Sequence, residues 1–548
     1  MAGRRSSSGL GPSIPRNDTA AKHLSEAASC MANTPGGGAL IVGVADDRTL
    51  VGTAIEAEWL RMRIYELTQR RLTTDIYEHT VQGTGLLVIR IPEALEPIRF
   101  NNRIKWRVAD NCVEIDAATW HQRRMIRLQF DWSAQDSQVP VEKARPTAVE
   151  IARDFLLASN EDAAQDLARA STQNFLKRLN VVTNEGTLTN AGALAFVGRD
   201  APAIDYIRRD FAGSDSTARL RAGGRSILEE LSGVMTMVSA HNSVRHISSE
   251  LSIGQVRDLP PLAIREAIVN GLVHREWGSM EPTVVEHVGQ QLTVTSPGGF
   301  VGGVTPENII THPSSSRNKS LAELFASLRI AEREGIGVDR IIREMLRLGH
   351  ALPEIQEISG PYVRTALLGQ SIDLPWLQCL NRLEPRSAST NLNFLLILDY
   401  LTTDRWIDES SAMRLLQVGR GEALATLEQL DSVSLRGAAV VTRVQGVPSD
   451  ANGAWALAGN LVEALTSAGS AKAPATTPDS KRGTALSWAS HRGRISSTEL
   501  ASIVGGHPNN AGRVLRALES DGLLSPGRAN RNGAGFFYRI SDETRANP

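Results

Sequence analysis

Polar residues recur every four positions in one stretch of the chain, REAIVNGLVHREW at 265–277. Glu266, Asn270 and His274 occupy positions i, i+4 and i+8, so they lie along one stripe of a helix, and Arg275 follows directly. A carboxylate, an amide, an imidazole and a guanidinium on one side of a helix predict a binding or catalytic site. The alternative is an unusually polar helix face held by a structural network.

Two glycine motifs later in the chain are suited to contact a ligand through their backbone. In TVTSPGGF a strand ends just before Gly298 and Gly299, where the lack of side chains lets backbone N–H groups approach a ligand closely. In REGIGVDR, Gly335 and Gly337 precede a helix predicted over 338–348. The N-terminus of that helix would offer N–H groups and a positive dipole to phosphate.

A polar loop, SSSRNKS at 314–320, supplies the third element. Its Arg317 and Lys319 are placed to face an anion. The helix stripe, the glycine motifs and this loop together predict a nucleotide site. If they do not converge, the glycines are helix caps and the charged groups are solvated.

The length and composition indicate a modular globular protein. A chain of 548 residues is too long for one core and predicts about three to five domains. Its formal net charge is −1, which gives no overall attraction to nucleic acid or to a membrane. Any basic surface must therefore be local.

The cysteines and the N-terminal residues indicate in which cellular compartment the protein resides. Cys30, Cys112 and Cys379 are far apart and odd in number, so neither a disulfide framework nor a zinc site is predicted. The first twenty residues hold three arginines but no apolar core, and no run approaches the ~18 apolar residues of a membrane span. We expect a protein of the reducing cytoplasm that neither is secreted nor spans a membrane.

Changes in composition and periodicity divide the chain into a multidomain α+β architecture. The predicted parts are a disordered tail (1–20), an α+β domain (21–130), a helical connector (145–204), an α/β sandwich (205–370), a helix–hairpin module (391–460), a flexible linker rich in Ala, Ser, Thr and Pro (466–483), and a last helix–hairpin domain (484–541).

The ordered motifs resemble known families over roughly residues 21–370. Glu-xxx-Asn on a helix, then a strand ending in Gly-Gly, then Gly-x-Gly opening a helix, resembles the Bergerat (GHKL-like) ATP-binding fold of gyrase, histidine kinases and MutL. More closely, LPPLAIREAIVNGLVHREW, SPGGF, GVTPENI, SRNKSLAELF and EREGIGVDRIIREM resemble the C-terminal ATP-binding domain of bacterial RecG-related predicted transcriptional regulators. CMANTPGGGALIVGVADDRTLVGT is similar to the Schlafen-type AlbA-like domain found at the N-terminus of such proteins.

The resemblance implies ATP and Mg²⁺ as cofactors and assigns roles to residues. Glu266 would polarise water, Asn270 would bind Mg²⁺ through its side-chain oxygen, and Gly335 and Gly337 would lie beneath the phosphates. The family's adenine-binding aspartate is replaced here by Ser296-Pro297. Because the chain has no GxxxxGKS/T motif and no paired motor domains, helicase activity is not predicted.

The Schlafen-like domain lacks the acidic stretch that nucleases of this type use. A carboxylate cluster of Asp18, Asp46 and Asp47 is an alternative, although Asp46-Asp47 fits a hairpin turn more simply. We therefore expect a binding or assembly platform in preference to a nuclease.

One strand of this domain carries alternating positive charge. In RIKWRVAD, Arg103, Lys105 and Arg107 share a strand face, with Trp106 on the opposite one. These cations predict a phosphate-binding patch, or else an edge strand protected by charge.

The last domain has the most readable DNA-binding pattern. Helices predicted at 484–491, 497–504 and 508–521, followed by a β-wing, resemble a winged helix-turn-helix. The basic balance of residues 481–548, ten Lys and Arg against five Asp and Glu, is consistent with binding to double-stranded DNA. The predicted DNA contacts are Asn509, Asn510, Arg513 and Arg516 on the third helix and Arg528 and Arg531 in the wing.

The module at 391–460 has a similar order of predicted elements, helices followed by a hairpin. Arg414, Arg420 and Arg443 are its only plausible phosphate contacts and lie among several acids, so dimerisation is the alternative role. Either module could instead bind protein.

From these observations we predict a DNA-binding transcriptional regulator that has a nucleotide-sensing domain and forms a homo-oligomer. The rival hypothesis is an ATPase or nucleic-acid-processing enzyme, in phage defence, whose Schlafen-like domain cleaves or captures nucleic acid.

Overall fold

Helices and small sheets alternate through both compact units of the chain, Met1–Phe130 and Asp131–Pro548. The computed structural model describes residues 16–34, 36–45, 49–108, 111–121, 130–249, 252–313, 315–331, 335–531 and 535–541. The predicted multidomain α+β class is confirmed. No helix in these ranges combines the length and apolar character needed to cross a membrane.

The N-terminal unit packs two helices with two three-stranded sheets. The sheets have the strand orders β1-β3-β2 and β4-β5-β6. The first helix starts where the side chain of Asn17 accepts a hydrogen bond from the backbone N–H of Ala20, and its alanine-rich face is buried. The elements are α1 (Asp18–Ala32), β1 (Gly38–Val42), α2 (Ala57–Leu67), β2 (Asp75–Val81), β3 (Thr84–Ile91), β4 (Arg99–Phe100), β5 (Arg103–Val108) and β6 (Asn111–Ile115).

The expectation of no disulfide is wrong. Cys30 on α1 and Cys112 on β6 form a disulfide, with Cα atoms 6.1 Å apart, while Cys379 is free and buried. The two half-cystines are 82 residues apart in sequence, so only the packing of α1 against the second sheet brings them together.

A six-stranded sheet organises the middle of the chain, in the order β10-β9-β13-β14-β16-β15, and only β9 and β13 run parallel. Buried residues of the predicted connector and of the predicted sandwich share one hydrophobic core, so the expected boundary near 204 does not separate two cores. The elements are β7 (Asp136–Pro140), α3 (Pro146–Leu157), α4 (Asp162–Ala168), α5 (Thr172–Arg178), β8 (Thr187–Thr189), α6 (Asn190–Phe196), β9 (Ile204–Arg209), β10 (Ser216–Arg221), α7 (Ile227–His241), β11 (Val244–Ser249), β12 (Ser252–Arg257), α8 (Pro261–Val273), β13 (Thr283–Val288), β14 (Gln291–Pro297), α9 (Lys319–Ser327), α10 (Gly337–Arg347), β15 (Glu354–Ile358) and β16 (Tyr362–Leu368).

The remaining chain builds two modules of three helices and a hairpin each, the first module at 392–457 and the last module at 478–540. In the last module, a capping box between Ser496 and Glu499 starts the middle helix at the predicted residue. The elements are α11 (Leu374–Leu380), β17 (Leu383–Glu384), α12 (Leu392–Asp404), β18 (Trp406–Asp408), α13 (Glu409–Leu416), α14 (Arg420–Leu430), β19 (Ser434–Leu435), β20 (Ala438–Ala439), β21 (Val441–Arg443), β22 (Ala454–Leu457), α15 (Gly459–Ser467), α16 (Pro478–Arg492), α17 (Ser497–Val504), α18 (Pro508–Ser520), β23 (Leu524–Pro526) and β24 (Tyr538–Ile540).

The segment 466–483 is not the predicted flexible linker. Helix α16 already begins at Pro478, and the preceding turn is anchored: the Ser470 hydroxyl and the Lys472 backbone N–H both donate to the Asp373 carboxylate, at 2.7 and 3.0 Å. Lys472 also forms an ion pair with Asp399. Ser470 and Lys472 thus tie this stretch to residues far away in the sequence, which composition alone does not reveal.

The two modules meet at a buried junction formed by Trp406, Asp408, Trp488 and Arg492. The two indole rings pack edge to face with centroids 4.9 Å apart. The Arg492 guanidinium donates to the Asp408 carboxylate at 3.0 Å. Since residues of both modules share this core, the modules are joined by packing as well as by the chain.

Candidate functional site

Helix α8 is positioned by its glycine and its apolar face. A side chain at Gly271 would place a Cβ 2.9 Å from Val294 on β14, so only glycine lets the helix approach the sheet this closely. Ala263, Ala267 and Ile268 are buried in the core beneath. Glu266 and Asn270 are therefore left facing α10.

The structure brings Asn270, Glu266 and Gly337 together. A Cβ at Gly337 would lie 3.2 Å from Glu266 Oε2 and 3.3 Å from Asn270 Nδ2. The Asn270 side chain is half-buried, and no residue in the described ranges forms a hydrogen bond with it. At the start of α10, Ile336 supplies no side-chain cap to the first-turn N–H groups. This leaves an amide beside a helix N-terminus, an arrangement suited to a phosphate or its cation.

The Glu266 carboxylate is held by two arginines. It is only 2% exposed, and its Oε1 lies 3.2 Å from Arg340 on α10 and 3.4 Å from Arg265. Arg340 was missed from the sequence, because its distance from Glu266 along the chain gives no sign that the two helices face each other. The predicted water-polarising group is thus an ion-paired, enclosed carboxylate.

The N–H groups beside the Gly-Gly turn are largely used within the protein. Gly298 has φ +100° and its N–H donates to the Pro361 carbonyl at 3.0 Å. The N–H of Phe300 donates to the Glu357 carboxylate at 2.7 Å, and a Cβ at Gly299 would lie 2.5 Å from the same carboxylate. Here the glycines accommodate Glu357 on β15, a contact that the sequence did not predict.

Arg317 connects three segments around the site. Its guanidinium donates to the carbonyls of His274 and Gly299, at 3.1 and 2.9 Å, and to the Glu276 carboxylate at 3.2 Å. Burial lowers the pKa of Arg317, although Glu276 opposes the shift. Its position makes it a clamp on the loops that follow α8 and β14, and these bonds occupy donors predicted for an anion.

The predicted contact of Arg275 with a cofactor is wrong. The guanidinium is fully buried, donates to the Ala203 carbonyl at 2.9 Å, and stacks 4.4 Å from the centre of the Trp277 ring. Burial lowers its pKa to about 10. Burial likewise lowers the pKa of His274, with Arg317 adding to the effect, to about 4, so the imidazole brings no positive charge at neutral pH.

Helix α18 presents the predicted polar face of the last module. Its four predicted contact residues are exposed, whereas Leu515 and Leu518 on the opposite side are fully buried. Arg513 forms a hydrogen bond with Asn510 one turn away. In the hairpin, Arg531 is paired with Glu519 at 2.6 Å, and the exposed Arg528 lies 5.5 Å from the centre of the Phe537 ring.

The basic stripe of the N-terminal unit is not a free patch of positive charge. Lys105 pairs with Glu26 on α1 at 2.6 Å, and Arg103 pairs with Glu114 on β6 at 3.2 Å. Arg107 also has an interaction partner within the protein, so it too is not a free cation. Trp106 is buried on the opposite face, as predicted.

The alternative carboxylate cluster receives no support from Asp18, which is paired with Arg63 at 2.9 Å. Asp46 and Asp47 lie outside the described residues. Within the described ranges, no three or more His, Cys, Asp or Glu side chains are grouped as a metal site requires.

Comparison with known proteins identifies two domains. A family model described as "Putative ATP-dependent DNA helicase recG C-terminal" matches residues 282–364, and one described as "Schlafen, AlbA_2" matches residues 13–116. The first match begins after α8, so it includes Gly298 and Gly337 but not Asn270.

A similar solved structure covers nearly the whole chain. The crystal structure of the DIP2311 protein from Corynebacterium diphtheriae is 30% identical, with a TM-score of 0.64, over 98% of this chain and 93% of that one. No curated protein matches the chain significantly. The two domain matches indicate an ATP-binding, nucleic-acid-related protein.

Proposed function

Because the chain belongs to the same family as the DIP2311 protein, with an N-terminal Schlafen AlbA_2 domain and a RecG-type C-terminal domain, we propose that it is a DNA-binding regulator that senses ATP. The observation that carries the nucleotide half is the Asn270 amide, half-buried beside Gly337 at the start of α10.

The residues around Asn270 fit a phosphate chain with its cation. Asn270 would hold Mg²⁺ through its side-chain oxygen, and the first turn of α10 would receive phosphate oxygens, since Gly335 and Gly337 bring no side chain into that space. Mg²⁺ held there would supply positive charge to neutralise the phosphate oxygens.

Sensing is favoured over rapid turnover by the state of Glu266. A general base must reach its water, yet this carboxylate is enclosed and paired with Arg340 and Arg265. Bound ATP would therefore persist, and its binding free energy is available to bias the arrangement of α8 and α10.

The DNA half of the proposal rests on the last module. We interpret its three helices and hairpin as a winged helix-turn-helix whose α18 contacts double-stranded DNA through its exposed amides and guanidiniums. Transcription regulation, homo-oligomerisation and a cytoplasmic location belong to the same proposal and stay predictions.

Calorimetric titration of Mg·ATP into the full-length protein tests the nucleotide half. Wild type is expected to bind, and Asn270→Ala to bind at least about ten-fold more weakly because the cation loses a ligand. Asn174→Ala, an exposed asparagine on α5, is the matched control and should bind like wild type. Absence of heat from wild type and both variants would remove ATP from the proposal.

A further inference from the structure

A cavity lies at the far ends of the two helices that form the candidate nucleotide site. It has a volume of about 480 Å³, within the range of small-molecule sites. Its walls come from the β11–β12 hairpin, the start of α8, the end of α10 and helix α11. Because α10 rises about 1.5 Å per residue, this cavity is roughly 15 Å from Gly337 along the helix axis.

One side of the cavity is apolar. Val244 and Val256 from the hairpin, Pro260 before α8, and Leu348 and Leu377 line it. Val244 is 39% exposed, which leaves an isolated apolar side chain at the opening. This wall suits the hydrocarbon part of a small organic molecule.

The other side carries two arginines that converge on the cavity. Arg347 donates through Nη2 to Asn381 at 3.2 Å, while its buried Nε has no hydrogen-bond partner in the described part of the chain. Arg257 is fixed by donating through Nη1 to the carbonyls of Ser239 and Asn242, both at 2.8 Å. Nη1 of Arg347 and Nη2 of Arg257 donate to no residue in the described part of the chain, which leaves them for a ligand or water.

The balance of charge around the cavity is positive. Glu344 is the one carboxylate among the residues that line it, and it lies 3.6 Å from Arg343 on the same helix. Pro260 and Pro261 place the N-terminus of α8 at the wall, and no side chain caps that end. Two guanidiniums and a helix N-terminus favour a negatively charged ligand.

We propose that this cavity binds a small organic anion, with its carboxylate or phosphate at Arg347 and Arg257 and its apolar body against Val244, Val256 and Leu377. The site is separate from the candidate ATP site and does not depend on it. A guanidinium pairs with either head group in the same forked geometry, so the shared chemistry is an oxyanion on a hydrophobic body.

Titration calorimetry of the full-length protein with phenyl phosphate and with benzoate tests this site. Each probe joins one oxyanion to one ring, and the tighter of the two identifies the preferred head group. We expect millimolar or tighter binding of at least one probe, weakened about ten-fold or more in Arg347→Gln. Arg178→Gln, which changes an exposed arginine on α5 that does not line the cavity, should bind like wild type.

A second variant distinguishes a loss of binding from misfolding of Arg347→Gln. Val244→Trp should occlude the opening and abolish probe binding while leaving the thermal unfolding midpoint close to that of wild type, because residue 244 is partly exposed. Asn270→Ala should retain full probe binding. The proposal is overturned if wild type binds neither probe at about 10 mM, if both cavity variants bind normally, or if Asn270→Ala abolishes binding.

Discussion

The first and last modules both place three helices ahead of a hairpin, but they differ in how many of their predicted nucleic-acid contacts are paired with acids among the described residues: two of three arginines in the first module, and one of four, Arg531, in the last. In the first module, Arg420 donates to Glu409 and Arg443 to Asp431, both at 3.2 Å, so nearby acids neutralise two of the three predicted phosphate contacts. The third, the exposed Arg414, donates to the Ser411 hydroxyl at 3.2 Å. In the last module, Arg513 and Arg516 are exposed and neither forms an ion pair within the described ranges. A shared architecture therefore predicts packing, whereas the charge partners of each surface indicate function.

The first module instead contacts the segment that follows the Gly-Gly turn. The Gln417 side chain accepts a hydrogen bond from the backbone N–H of Ile310 at 2.9 Å and donates to the Pro306 carbonyl at 2.8 Å. Thr311 donates to the Gln417 carbonyl at 2.9 Å. The first module thus holds the segment that follows the Gly-Gly turn, a contact that the last module does not make within the described ranges.

The largest effect is expected where the two modules join. Asp408→Ala should lower the free energy of unfolding by about 3 kcal/mol, because Arg492 would lose its buried partner and α13 its N-terminal cap. Urea unfolding followed by tryptophan fluorescence measures this loss. If Asp408→Ala unfolded at the same urea midpoint as wild type, the shared junction would be contradicted.

The same residue predicts a pH dependence. Burial opposes ionisation of Asp408, but hydrogen bonds from Ser411 and Ser410 outweigh it and lower the pKa of this carboxyl. Its contribution to stability is therefore present above its unfolded pKa, near 4, and is lost as the pH falls through the lower folded value. Unfolding of Asp408→Asn should lack this component, measured as the difference from wild type between neutral and acidic buffer.

The second largest effect is expected on DNA affinity, which substitutions in the last module should lower and substitutions in the first module should not. Arg513→Ala with Arg516→Ala should weaken binding to duplex DNA about ten- to a hundred-fold and flatten its salt dependence, since both guanidiniums contact DNA in the proposal. Fluorescence anisotropy at two salt concentrations measures both quantities. The matched pair Arg420→Ala with Arg443→Ala should bind like wild type, and equal losses from both pairs would erase the contrast.

The smallest effect is expected at Gln417. Gln417→Ala removes two partly exposed side-chain hydrogen bonds and should destabilise the segment 305–312 by about 1 kcal/mol. Amide hydrogen exchange should show faster exchange there with unchanged DNA affinity. Unaltered protection would mean that this contact does not hold the loop.

The sequence predicted local secondary structure more reliably than contacts between distant residues. The bounds of α17 follow from its capping box, and the pairing of β13 with β14 follows from alternating residues around a short turn. The approach of Asn270 to Gly337 was predicted from the residue types of the polar stripe and the glycine motifs, and the family resemblance then assigned their roles. No spacing rule relates two helices so far apart in the chain.

The errors share one physical cause, which is that a residue type does not specify its partner. Arg275 is suited both to bind phosphate and to satisfy buried carbonyls, and only the fold decides between these roles. Ser470 lies in a stretch with the composition of a linker, yet its anchor Asp373 is 97 residues away. The pairing of Cys30 with Cys112 was hidden for the same reason.

Helix α10 has a mechanical consequence for the molecule. Gly337 begins it against Asn270, while Ile342 and Leu346 on its second half belong to the hydrophobic core of the first module. A short helix transmits displacement as a rod, because stretching it would break its own hydrogen bonds. A displacement of α10 at Gly337 would therefore also displace Ile342 and Leu346, which couples the candidate site to the core of the first module.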